Sequence, residues 1–204
     1  PPARRRRHVD WTLPPGRPNW FVGSGATVGE QAVVWATVGA GLVLALAVAR
    51  DLDVSWTWWH HVVAVILVVD VVGGVVANGL GSAKRLYHGH DPVPGAAGRW
   101  LRNDLVFAAA HLPHLVLAAT LPGGTVGWAM VWYAVILSGV AAVVAAPQHL
   151  TRPIGLAVAT VAVLVASLVT GPDALGWFGP VIVLKLVLAH AVPEEPYRPA
   201  PETC

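Results

Sequence analysis

Residues 58–80 read WWHHVVAVILVVDVVGGVVANGL, and this stretch decides the fold. As a helix rising 1.5 Å per residue it reaches roughly 35 Å, enough to cross the ~30 Å hydrocarbon core of a bilayer. Its one acidic or basic group apart from the histidines His60 and His61 is Asp70, near the middle. A carboxylate at that depth is costly unless a group inside the protein meets it, which makes Asp70 the best functional clue in the chain.

Five more apolar runs of about one crossing each follow the same reading, at 31–49, 100–121, 126–146, 153–170 and 174–192. Of the 204 residues 55% are hydrophobic and only 12% charged, well outside soluble composition. The runs are consecutive in Val, Leu and Ala, whereas strands of a transmembrane barrel would be shorter and would alternate polar with apolar. The expected fold is all-α, a polytopic bundle of six transmembrane helices. Basic residues fix its orientation: Arg4, Arg5, Arg6, Arg7 and Arg17 precede the first span, Lys84, Arg85 and Arg99 lie between the second and third with Arg102 just inside the third, Arg152 lies between the fourth and fifth, and Arg198 after the sixth. All fall on one side, and the other holds only Arg50 beside Asp51 and Asp53. The positive-inside rule then places both termini in the cytoplasm of a bacterial-type inner membrane.

The sequence divides into a polar, Pro-rich arm at 1–29, a six-helix transmembrane domain at 30–192, and a cytoplasmic tail at 193–204. The basic cluster at 4–7 reads as a topology anchor near anionic headgroups and not as a nucleic-acid site. Trp11, Trp20 and Phe21 are expected in the headgroup layer, and Trp56, Trp58, Trp59, Trp100, Trp128 and Trp177 mark span ends as an aromatic belt. Cys204 is the only cysteine, so these residues supply no internal disulfide, iron–sulfur cluster or thiolate zinc site. Residues 81–98 form the one sizeable loop, carrying Lys84, Arg85, Tyr87, His88, His90 and Asp91.

Ionisable residues occur only in the second, third and sixth spans, which are therefore expected to line a polar centre, with the first, fourth and fifth facing lipid. At 100° per residue His60, Asp70, Gly74 and Asn78 share one stripe on the second span, and Asp104, His111 and His114 share one on the third. Asp70 and His111 lie at similar depth, about 15–17 Å from the cytoplasmic ends. Asn78, Asp104 and His190 lie about one turn inside that boundary. The residues thus form two layers.

His111 and His114 put two imidazoles on one helix face, and a carboxylate from a neighbouring span completes a donor set common to zinc and non-haem iron. Asp70, His111 and His114 are the candidate ligands, and Asp70 and His111 the candidate acid/base groups. Pro113 between the histidines removes a backbone donor and is expected to kink the helix. Alternatively the polar groups satisfy one another, with Lys185 pairing to Asp70 or Asp104 and Asn78 bonding across helices. Lys84, Arg85, His88 and Asn78 are the candidate substrate-binding residues, at a cytoplasmic mouth that would take an anionic headgroup. Glu194 and Glu195 are placed to close that mouth on Lys84 or Arg85.

A haem is disfavoured because His60 lies roughly 10 Å farther out than His114. The histidine boxes of membrane desaturases and the GxSG turn of rhomboid-type proteases are both absent. The leading function is a metal-dependent membrane enzyme acting on a lipid or apolar substrate. A proton-coupled transporter or channel using Asp70 and Asp104, and a non-catalytic subunit of a membrane complex, are the alternatives.

Overall fold

The structure, a computed structural model, describes residues 7–93 and 95–199. Arg4, Arg5 and Arg6 of the basic cluster, and Cys204, lie outside the described residues. Among the described residues eight helices follow one another: α1 Val28–Asp51, α2 Trp58–Gly79, α3 Gly81–His88, α4 Gly95–Leu101, α5 Asp104–Ala119, α6 Val126–Ala145, α7 Gln148–Ala166 and α8 Phe178–His190. A short ribbon joins the ends of the described chain, with β1 (Arg7–Val9) antiparallel to β2 (Tyr197–Pro199).

Capping chemistry sets the boundaries that hydropathy alone misses. α1 begins at Val28, ahead of its apolar run, because Thr27 and Glu30 form a reciprocal cap: Thr27 Oγ1 accepts from the Glu30 amide, and Glu30 accepts from the Thr27 amide at 2.7 Å. At the start of α2 a histidine fills the glutamate's place, since His60 Nδ1 accepts from the Thr57 amide at 3.0 Å. That gives His60 a structural role. α5 starts at Asp104 and not near Trp100 because Asn103 Oδ1 accepts from the Val106 amide. The segment expected as a loop at 81–98 is largely helical, in α3 and α4.

Four helices, α1, α2, α6 and α7, are long and apolar enough to cross a membrane. The other two apolar helices, α5 and α8, are shorter, about 24 Å and 20 Å at 1.5 Å per residue. Among the six apolar helices they are two of the three that carry buried ionisable groups. α8 is central, packed against α2, α6 and α7, while α1 packs on α2 and α5 on α6 and the first half of α2. Close crossing of α1 and α2 rests on glycine: a Cβ on Gly73 would sit 2.6 Å from Val38. α1 and α7 turn Val43, Leu44, Leu46, Val161, Val163 and Leu164 outward, an apolar exposure that marks a membrane protein. α6 differs from the lipid-facing expectation, because its Trp132, Ile136 and Val140 are fully buried against α8 and form the middle of the core.

Candidate functional site

Asp70 lies in a π-helical turn of α2, Val68–Val72, and Lys185 lies in another that ends α8, Leu184–His190. A π turn inserts an extra residue into the helix and re-aims the side chains around it, and such turns are frequent at functional sites. A side-chain pair joins the two turns. Lys185 Nζ donates to Asp70 Oδ2 at 2.6 Å, and His114 Nε2 lies 3.2 Å from the same oxygen. Lys185 reaches across α2 at Gly74, where an added Cβ would meet its Cε at 2.6 Å. The glycine is the groove that the lysine occupies.

The histidine pair is set by a break in α5. The Ala110–His111 step is a turn, with His111 at φ −88 and ψ 2, and the second segment restarts at Leu112. Pro113 therefore sits in a first turn, where its missing N–H has no intrahelical partner to lose. His111 and His114 stack with centroids 4.9 Å apart. His111 Nδ1 lies 2.8 Å from the Phe107 carbonyl. A carbonyl only accepts, so Nδ1 carries the hydrogen and the neutral ring presents its Nε2 lone pair to the site.

The donor atoms of Asp70, His111 and His114 all lie within 4.8 Å of one another, so this group could hold a metal ion. An imidazole oriented through Nδ1 by a backbone carbonyl is the support that metal-bound histidines ordinarily have. Of the sequence-predicted residues, these three come together. Lys185, expected to pair with Asp70 or Asp104, chooses Asp70.

The second layer also assembles, with a different purpose for several members. His190 stacks on Phe107 at 3.7 Å, and its Nε2 lies 3.4 Å from Asp104 Oδ1. Lys84 and Arg85 face inward and are each only 2% exposed. Lys84 Nζ donates to the carbonyls of Ala189 at 2.5 Å and Val192 at 2.6 Å, and His88 Nε2 donates to the His190 carbonyl at 2.7 Å. α3 thus folds back under α8 and satisfies carbonyls that the end of a helix leaves open. Glu194 pairs with Arg152 at 3.6 Å, where Lys84 or Arg85 was the expected partner. Lys84 and Arg152 also line a cavity of about 490 Å³ together with Glu194 and Glu195.

Burial pushes His88 down to about 4, with Lys84 and Arg102 acting in the same direction and the His190 carbonyl opposing them. Between that value and the ordinary 6.5 the unfolded chain binds more protons than the folded one, so stability falls as pH drops through this window. Acidification from pH 6.5 to 4 is expected to cost up to roughly 3 kcal/mol through this residue. Equilibrium unfolding in micelles should show a shallower pH slope for His88→Gln. An unchanged slope would contradict the assignment.

The N-terminal arm is docked on α3 and the loop that follows it. Tyr87 Oη donates to the Trp20 carbonyl at 2.6 Å, Ser82 Oγ to the Val22 carbonyl at 2.5 Å, and the Leu13 amide to Asp91. Gly23, at φ +76, lets the arm's backbone lie directly on that of Ser82 and Ala83. Trp20 and Phe21 consequently roof a cavity of about 210 Å³ whose walls include Asp70, His111, Lys185 and Asn78. The anchoring of the arm was not readable from sequence, because its partners are 60 to 78 residues away and carry no local pattern. No family model, curated protein or solved structure matches the chain.

Proposed function

We propose that this chain is a metal-dependent integral membrane enzyme, in which Asp70, His111 and His114 hold a zinc or iron ion and act on a lipid or other apolar substrate. One observation carries the reading: two imidazoles and a carboxylate from different helices converge within 4.8 Å, beside a cavity. Such an ion would polarise a substrate oxygen or a water. Asp70 and His111 are the protein's own acid/base groups on the cavity wall, with Lys84 and Arg85 supplying positive charge beneath it for an anionic headgroup.

The proposed membrane arrangement is six crossings with both ends in the cytoplasm of a bacterial inner membrane. Antiparallel pairing of β1 with β2 supports it, because ends that lie side by side require an even number of crossings. The short α8, which is largely buried, fits as an interior span, since a helix enclosed by protein need not match the bilayer thickness alone.

Elemental analysis of protein purified in micelles tests the reading. Zinc or iron near one equivalent in the wild type, falling to background in Asp70→Asn and His111→Ala, is the expected result. Background metal in the wild type would refute it.

Lys185 favours a second reading. At an effective dielectric of 20, a divalent ion about 4 Å from an ammonium is repelled by roughly 8 kcal/mol, so metal entry has to displace the lysine from Asp70. Without a metal, the Asp70–Lys185 pair has the form of a proton relay in a proton-coupled carrier or channel. Proton flux in liposomes that is lost in Asp70→Asn, from a metal-free protein, would select that reading.

A further inference from the structure

The cavity beside the candidate metal group contains more than that group requires. Asn78 lies two turns below Asp70 on the same face of α2, is 5% exposed, and lines the cavity. Among the described residues its Nδ2 has no hydrogen-bond partner. A buried amide donor left unsatisfied costs about 1–3 kcal/mol, which a ligand oxygen accepting from it would recover.

Between Asn78 and Asp70 the floor is apolar, because the methylene stem of Lys185 lies over Gly74. The walls are aromatic, from Trp20 and Phe21 of the arm, Tyr87 of α3 and Phe107 of α5. Charge at the site is balanced by the Asp70–Lys185 pair, so a charged ligand gains no net partner and keeps its full desolvation cost. The volume, about 210 Å³, is below the roughly 300–1,000 Å³ of sites for drug-sized molecules and suits one ring or a fused pair. Asn78 and Asp70 are separated along the helix axis by about 12 Å, which leaves roughly 6 Å for the ligand after a hydrogen bond of about 2.8 Å at each end. An oxygen at each end of a six-membered ring spans that gap.

We infer that the cavity binds a neutral, flat, membrane-soluble ring of the quinone or hydroquinone class, with one oxygen accepting from Asn78 and the other accepting from the Lys185 ammonium as a quinone carbonyl, or donating to Asp70 or the His111 Nε2 lone pair as a hydroquinone hydroxyl. The inference rests on the proposed enzyme reading only for what happens at the second oxygen. Ring binding itself needs the cavity and Asn78.

Thermal unfolding of the protein in phosphatidylcholine nanodiscs, with menadione as the probe and naphthalene as a ring of like shape without oxygens, tests it. Menadione should raise the wild-type Tm and naphthalene should not. Asn78→Leu keeps the volume and removes the donor, so it should lower menadione affinity about tenfold while leaving the probe-free Tm equal or higher. Trp20→Leu, which opens the aromatic wall, should also weaken menadione. The inference is overturned if menadione leaves the wild-type Tm unchanged, if naphthalene acts equally, if Asn78→Leu binds as the wild type does, or if Asn78→Leu lowers the probe-free Tm. Metal content of the same samples separates the two claims, because Asn78 is not a metal donor. Metal retained without menadione binding removes the ring inference alone, and menadione binding by a metal-free wild type removes the metal reading alone.

Discussion

Asp70→Asn is expected to destabilise the folded protein by about 3–5 kcal/mol, one of the two largest effects anticipated for a single substitution in this chain. The cause is the ammonium left behind. Lys185 is only 3% exposed, and its head group is held by Asp70 at 2.6 Å, so the amide variant leaves a buried cation without its counter-charge. Lys185→Met should cost less, because Asp70 retains His114 at 3.2 Å and is only half-buried. The double variant Asp70→Asn with Lys185→Met removes both charges and should recover much of the loss. Equilibrium unfolding of the four proteins in bicelles gives the cycle. Additive losses would show that the two groups do not act as a pair.

Gly74→Ala is expected to cost about 2–3 kcal/mol and to pull Lys185 off Asp70. Its new Cβ would lie 2.6 Å from Lys185 Cε and 3.1 Å from Nζ. The end of a free lysine would move aside cheaply, but this one is enclosed between α2 and α8 and tied to Asp70 at its tip. Adding Lys185→Ala to Gly74→Ala restores the space, so that second change should cost far less in the Gly74→Ala background than in the wild type. The same unfolding measurement checks it. A neutral Gly74→Ala would mean that the lysine has another route to the carboxylate.

The helical character of the chain and the convergence of Asp70, His111 and His114 were legible in the sequence for one reason: helical phase and depth are both linear in residue number. Asp70 and His111 needed only to count the same distance from one boundary on consecutive spans. The π turns at Val68–Val72 and Leu184–His190 follow no such count, and neither does the break at Ala110 that finishes aiming the two imidazoles. Capping roles were equally hidden. Lys84 and His88 read as substrate-binding residues of a cytoplasmic loop, yet they donate to carbonyls about a hundred residues away. Hydropathy reports how deep a segment lies. It does not report which way a short amphipathic helix such as α3 folds once the span above it leaves carbonyls open. Asn78 was legible as part of the polar stripe, whereas its lack of a partner is a property of the packed cavity alone.

X-ray absorption at the metal edge of the purified, membrane-embedded protein tests the central claim most directly, that Asp70, His111 and His114 share one ion. The account predicts nitrogen and oxygen neighbours at about 2.0–2.2 Å, with the outer-shell scattering of two imidazoles. His111→Ala should reduce that signal to one ring. A bound ion with no imidazole scattering, or a spectrum unchanged by His111→Ala, would contradict it.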